Sequence, residues 1–247
     1  MDTILKLALP LSILINFLLV AAWLFLINKK GGIPFLLRKL NEWRTDKSVA
    51  NSSNGNPYHQ DKKSHFDTLP SSATEILFLG DSLTDYCEWQ EFFRNLQIKN
   101  RGIAGDTTYG VLNRLQQSIS SKPQKLFLMI GINDITKGTK VTQIAANYRQ
   151  ILEIIKNQSP NTTVFIQSVL PVNSTKFPNQ GWNQKVVNLN THLNNLAEEF
   201  SFDYIDLFPS FLDSHKELNI QYTTDGVHLN GQGYLLWTSI IEKNVLN

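Results

Sequence analysis

Five strand-like stretches, separated by segments of helical spacing, limit this chain to one broad class of architecture. They are Ile76 to Leu79, Ile98 to Ile103, Leu126 to Ile130, Val164 to Val169 and Tyr204 to Leu207. Each has strand length, and most are apolar along their whole run, as expected of strands buried on both faces. Between them, Val141, Ile144, Ala145, Tyr148, Ile151, Leu152 and Ile155 share one helical face. Trp182, Val186, Leu189, Leu193, Leu196 and Phe200 share another. Strands alternating with helices predict an α/β domain whose parallel sheet is covered on both sides.

In an open parallel sheet, ligands bind beyond the carboxyl ends of the strands. Four polar motifs fall at such ends. Gly80-Asp81-Ser82 follows the first strand, Gly102-Ile103-Ala104-Gly105-Asp106-Thr107 the second, and Gly131-Ile132-Asn133-Asp134 the third. Asp225-Gly226-Val227-His228 lies between the last strand and a terminal helix bearing Tyr234, Trp237 and Ile241. The topology therefore predicts that four segments distant in sequence converge on one edge.

Together they supply what acyl transfer requires. A serine hydroxyl is a weak nucleophile until a base removes its proton, and of the five histidines His228 has a carboxylate, Asp225, at a spacing that suits a compact turn. An attacked ester carbonyl develops negative charge, which neutral donors stabilise. The backbone N–H groups of Ser82 and Gly105 and the amide of Asn133 are suitable. Gly105 also lets backbone approach a substrate closely. This chemistry requires no metal or other cofactor.

Each motif also has a purely structural reading. Asn133 suits a helix cap or turn, Gly105-Asp106-Thr107 suits the cap of a helix bearing Val111, Leu112 and Leu115, and Asp225-Gly226 suits a simple turn. His59, His65, His192 and His215 are assigned to solvent. Cys87, the one cysteine, is expected as a buried or half-buried filler and excludes an intrachain disulfide. Asn51, Asn161 and Asn173 begin matches to the glycosylation pattern. A net charge of +2 over 247 residues gives no global field for nucleic acid.

The N-terminal part has a different character. Leu7 to Ile27 is apolar apart from Pro10, Ser12 and Asn16, about the ~20 residues needed to cross a hydrocarbon core. We expect a membrane anchor over 1–30. Lys29, Lys30, Arg38, Lys39 and Arg44 follow it, beside a helical stripe of Ile33, Leu36, Leu37, Leu40 and Trp43 suited to the interface. Thr45 to Pro70 is polar and aperiodic and is expected as a flexible tether, so that 31–70 joins the anchor to a domain over 71–247. Basic residues after the span favour retention of the domain in the cytoplasm.

The order Gly-Asp-Ser, Gly-Asp-Thr-Thr, Gly-x-Asn-Asp and Asp-x-x-His resembles the SGNH (GDSL) hydrolases, with Ser82, Gly105, Asn133 and His228 at the four named positions. The resemblance spans about Glu75 to Leu246. Asn100 to Thr108 and Val111 to Leu115 are most similar to platelet-activating-factor acetylhydrolase catalytic subunits and bacterial lysophospholipase-like esterases. It implies a three-layer flavodoxin-like fold with a five-stranded parallel sheet, hydrolysis of esters or thioesters, and a triad of Ser82, His228 and Asp225. It also implies an oxyanion hole from Ser82, Gly105 and Asn133, and leans toward the cell envelope. The expected substrates are lysolipid esters or acetylated sugars, with Trp182 helping to wall the pocket; no nucleic-acid partner is expected. Two other classes fit the composition: a metal-dependent phosphoesterase built from Asp81, Asp85, Asp134, Asp225 and His228, and a catalytically silent binding module.

Overall fold

The computed structural model describes residues 56–178 and 181–247. Five parallel strands, β1 (Ile76–Gly80), β2 (Ile98–Gly102), β3 (Lys125–Met129), β4 (Thr163–Gln167) and β5 (Asp203–Ile205), form one sheet in the order β2-β1-β3-β4-β5. Eight α-helices accompany them among the described residues. These are α1 (Pro57–Thr68), α2 (Ser82–Asp85), α3 (Trp89–Phe93), α4 (Thr108–Ser118), α5 (Ile132–Thr136), α6 (Val141–Gln158), α7 (Trp182–Phe200) and α8 (Gly231–Leu246).

Side chains alternate across a strand, and this alternation sorts the sheet into two cores. Leu77, Leu79, Leu126, Leu128, Val164 and Ile166 face α4, α6 and α7. Ile76, Phe78, Phe127, Met129 and Phe165 face α3 and α8. The second core is an aromatic stack: Phe78, Phe127 and Phe165 follow one another with ring centroids 4.7 and 4.6 Å apart. Trp89 lies 4.0 Å from Phe78 and meets Trp237 edge-on at 4.9 Å. The three-layer α/β architecture expected from the sequence is therefore present.

Register positions the site. Gly80 lies opposite Gly102 on one side and Met129 on the other, so the segments after β1, β2 and β3 leave the sheet at one level. Strand order reverses between β1 and β3, the crevice where open α/β sheets place ligands.

One expectation is corrected. Residues 57–68, read as flexible tether, form helix α1. Asn56 caps it by accepting from Tyr58 N–H at 3.0 Å, and Pro57 occupies the first turn, where a missing N–H costs nothing. The helix lacks an apolar stripe, which is why periodicity missed it; the Asn-Pro start was its one signal. His59, assigned to solvent, is 7% exposed. The expected membrane span and interface helix lie outside the described residues. Among those described, no helix is long and apolar enough to cross a membrane.

Candidate active site

The first strand ends at Gly80, and the chain enters α2 at once. Asp81 caps that helix, its Oδ1 accepting from Leu83 N–H at 3.1 Å, which leaves Ser82 at the first helical position. Ser82 Oγ lies 2.9 Å from His228 Nε2, and His228 Nδ1 lies 2.6 Å from Asp225 Oδ2. The second carboxylate oxygen, Oδ1, accepts from the backbone N–H of Val227 at 2.9 Å and of His228 at 2.8 Å. The Asp225 loop is thus folded around its own side chain and closed by a bridge between Thr223 and Leu229.

These bonds set the charge. Partial burial works to raise Asp225, but the imidazole and the two amides outweigh it and hold the carboxyl at about 2. An ionised carboxylate beside Nδ1 keeps the proton there, so Nε2 is free to accept from Ser82.

A second group of polar atoms faces the same edge. Gly105 is exposed at φ +78°, in a loop pinned by Ile103 N–H to Gly80 O at 3.1 Å. Asn133, in the first turn of α5, donates from Nδ2 to Asp106 O at 2.9 Å. That bond holds one of its two amide hydrogens and aligns the side chain with the Gly105 loop. Thr107 caps α4 through Gly110 N–H at 3.2 Å, so the capping reading of this motif also holds.

Beneath the loop lie buried charges. Arg114 Nε donates to Asp106 Oδ2 at 2.8 Å and Nη2 to Gly80 O at 3.1 Å, joining the ends of β1 and β2. Burial works to raise Asp106, but Arg114 and His59 outweigh it and hold the carboxyl below its ordinary range. Burial raises Asp81 to about 7 and Asp134 to about 6. Asp134 accepts from the hydroxyl of Thr108 at 2.6 Å and its N–H at 2.9 Å.

The structure therefore brings Ser82, His228 and Asp225 into one hydrogen-bonded chain and places Gly105 and Asn133 on a shared loop contact. Trp182 stands outside that network. Its ring lies 5.2 Å from Phe177, and the segment before Phe177 reaches the Asp225 loop through Asn173 N–H to Gly226 O at 2.8 Å. The groups of the metal alternative do not converge: among the described residues no three His, Cys, Asp or Glu side chains form a metal-holding cluster. Sequence reasoning missed Tyr86, an exposed ring 5.3 Å from that of His228, and Arg114. Tyr86 belongs to no pattern, and Arg114 lies in the Val111 to Leu115 stretch without a role being assigned to it; packing reveals what each touches. Cys87 is buried, as expected.

Comparison with known proteins identifies the family. Residues 78–236, more than half of the chain, match the model of the GDSL-like Lipase/Acylhydrolase family. The chain is 28% identical over 167 residues to platelet-activating factor acetylhydrolase IB subunit alpha2 of Rattus norvegicus, a match covering 65% of this chain and 71% of the relative. A solved protein from Streptococcus pneumonia, described as a platelet activating factor, superposes with a TM-score of 0.70 at 26% identity. It covers 86% of this chain and 99% of its own. A Bacteroides fragilis protein described as an acylhydrolase does so with a TM-score of 0.64 at 25% identity, covering 75% of this chain and 94% of its own. By its motifs, its sheet order and these matches, the chain belongs to the GDSL-like lipase/acylhydrolase family.

Proposed function

We propose that the protein is a serine esterase that forms an acyl-enzyme on Ser82. The observation that carries this reading is the continuous chain Ser82 Oγ, His228 Nε2, His228 Nδ1, Asp225 Oδ2, with links of 2.9 and 2.6 Å. His228 Nε2 takes the Ser82 proton as Oγ bonds to the ester carbonyl carbon. Asp225 holds the ring's orientation and stabilises the imidazolium. The oxyanion that forms is met by the N–H groups of Ser82 and Gly105 and by Asn133 Nδ2. His228 then returns the proton to the departing alkoxide, the C–O bond breaks, and the acyl group remains on Ser82. Water, deprotonated by His228, releases the acid by the same steps in reverse order.

Similarity to acetylhydrolase subunits supports a short acyl group, and lysolipids or acetylated sugars remain the proposed substrates. The apolar run from Leu7 to Ile27 supports a membrane anchor, which would present the domain to esters at a bilayer. Trp182 is proposed to bound the substrate site through Phe177. Ser82→Ala tests the chemistry: it is expected to abolish ester turnover and labelling by a fluorophosphonate while the fold persists. A variant that is still labelled at wild-type rate overturns the assignment.

A further inference from the structure

Helix α1 has no apolar face to bury, and of its twelve residues only His59 is buried. Something other than the hydrophobic effect docks it. Tyr58 Oη donates to Asp85 Oδ2 at 2.6 Å, and Lys62 Nζ pairs with Asp85 Oδ1 at 2.7 Å. His59 Nε2 lies 3.2 Å from Asp106 Oδ1. Tyr58 and Lys62 are four residues apart and so share a face; the ammonium lies 5.7 Å from the centre of the Tyr58 ring. The carboxylates they grip are enclosed, at 2% exposure for Asp85 and none for Asp106.

Those two carboxylates bracket Gly105. Asp85 Oδ2 accepts the N–H of Ala104 at 3.0 Å, and Asp106 Oδ1 accepts the N–H of Thr107 at 2.9 Å. Asp85 is also the last residue of α2, the helix that begins with Ser82. One turn of α1 therefore holds the anchors of the backbone on both sides of the Gly105 amide. A preorganised donor stabilises developing charge only from the right place, and displacement by about 1 Å can cost ~10²-fold.

We propose that Tyr58, His59 and Lys62 are positioning residues for ester hydrolysis, clamping Asp85 and Asp106 so that the Gly105 amide is fixed relative to Ser82. This rests on the reading of Ser82 as nucleophile and Gly105 as oxyanion donor. The two grips differ in weight. Asp106 also has Arg114, whereas among the described residues Lys62 is the cation paired with Asp85, so loss of Tyr58 and Lys62 has the larger effect.

The test uses the full chain with p-nitrophenyl acetate as probe, and reads kcat, KM and amide hydrogen exchange over residues 103–107. The Y58F/K62M double variant is expected to lower kcat by about 10- to 100-fold with KM nearly unchanged, and to speed exchange at Ala104. K62R, which can still pair with Asp85, should retain most of the activity. Asp61→Ala, at an exposed position on the same helix, should change neither readout. Wild-type kcat in the double variant, an equal loss in Asp61→Ala, or a loss of kcat with unchanged exchange at Ala104 overturns the proposal. If the double variant does not fold, Y58F alone carries the same test, since it removes a single hydroxyl. Failure of the parent reading shows itself separately, as undiminished labelling of S82A, which no change in α1 can produce.

Discussion

In the proposed mechanism His228 acts on Ser82 through Nε2, the ring nitrogen 2.9 Å from Oγ, and the ionised Asp225 at Nδ1 reserves Nε2 for this role. In Asp225→Asn the amide can donate to Nδ1 and favour the wrong tautomer. The expected loss in kcat is about 10³- to 10⁴-fold with little change in KM, measured by steady-state hydrolysis. Asp225 lies at about 2, below its ordinary 3.8, so its contribution to native stability is complete above roughly pH 4 and is lost as pH falls toward 2. Asp81, next to Ser82, behaves in the opposite sense. Burial, reinforced by Asp106 and Asp134, raises it to about 7. Between about pH 4 and 7 the folded protein therefore holds a proton that the unfolded chain releases, and this group's contribution declines as pH rises. Urea unfolding at pH 5 and pH 8 should show a smaller difference in Asp81→Asn than in the wild type. Asp134, raised to about 6, contributes in the same sense.

At the level of elements, the strand-to-helix exit at Gly80 is a matter of space. Its φ is ordinary, but a Cβ would sit 2.2 Å from Thr84 Oγ1 and 2.3 Å from Met129 O. Gly105 is the reverse case, with φ +78° and nothing within 4 Å of a Cβ. Gly80→Ala is therefore expected to destabilise by about 2 kcal/mol or more, because backbone must shift. Gly105→Ala should cost about 1 kcal/mol, from left-handed backbone alone, while lowering kcat by a larger factor than Gly80→Ala lowers it in its folded fraction. Denaturant titration beside kinetics on both variants checks the contrast. The sequence suggested a glycine at each place; the sheet register explains why the reasons differ.

At the scale of the molecule, the described residues form two cores on one sheet, with α1 docked by charge at the edge that carries the candidate site. A chain starting at Ser71 keeps both cores and all five strands. It is expected to fold but to hydrolyse p-nitrophenyl acetate at least about tenfold more slowly than one starting at Asn56, which retains the cap of α1. EDTA should leave turnover of either chain unchanged, since the proposed steps use only serine, imidazole, carboxylate and amides; loss of activity that added metal restores would favour the metallohydrolase class.

Much of this arrangement was present in residue order. Apolar runs of strand length and stripes of helical spacing are local signals, and they placed β1 to β5 and α7 within two residues, and α6 within three, of where they occur. The Gly-Asp-Ser and Asp-x-x-His spacings singled out Ser82, Asp225 and His228 because caps and tight turns act over three or four residues. Tertiary structure decided what depends on contacts distant along the chain. Helix α1 formed without an apolar stripe because its partners, Asp85 and Asp106, lie 20 or more residues away in sequence. Trp182 was set against Phe177 and outside the serine network by the packing of α7. Local sequence encodes backbone preference and which face is apolar, whereas ion pairs between polar surfaces carry no period and exist only once the sheet has brought their partners together.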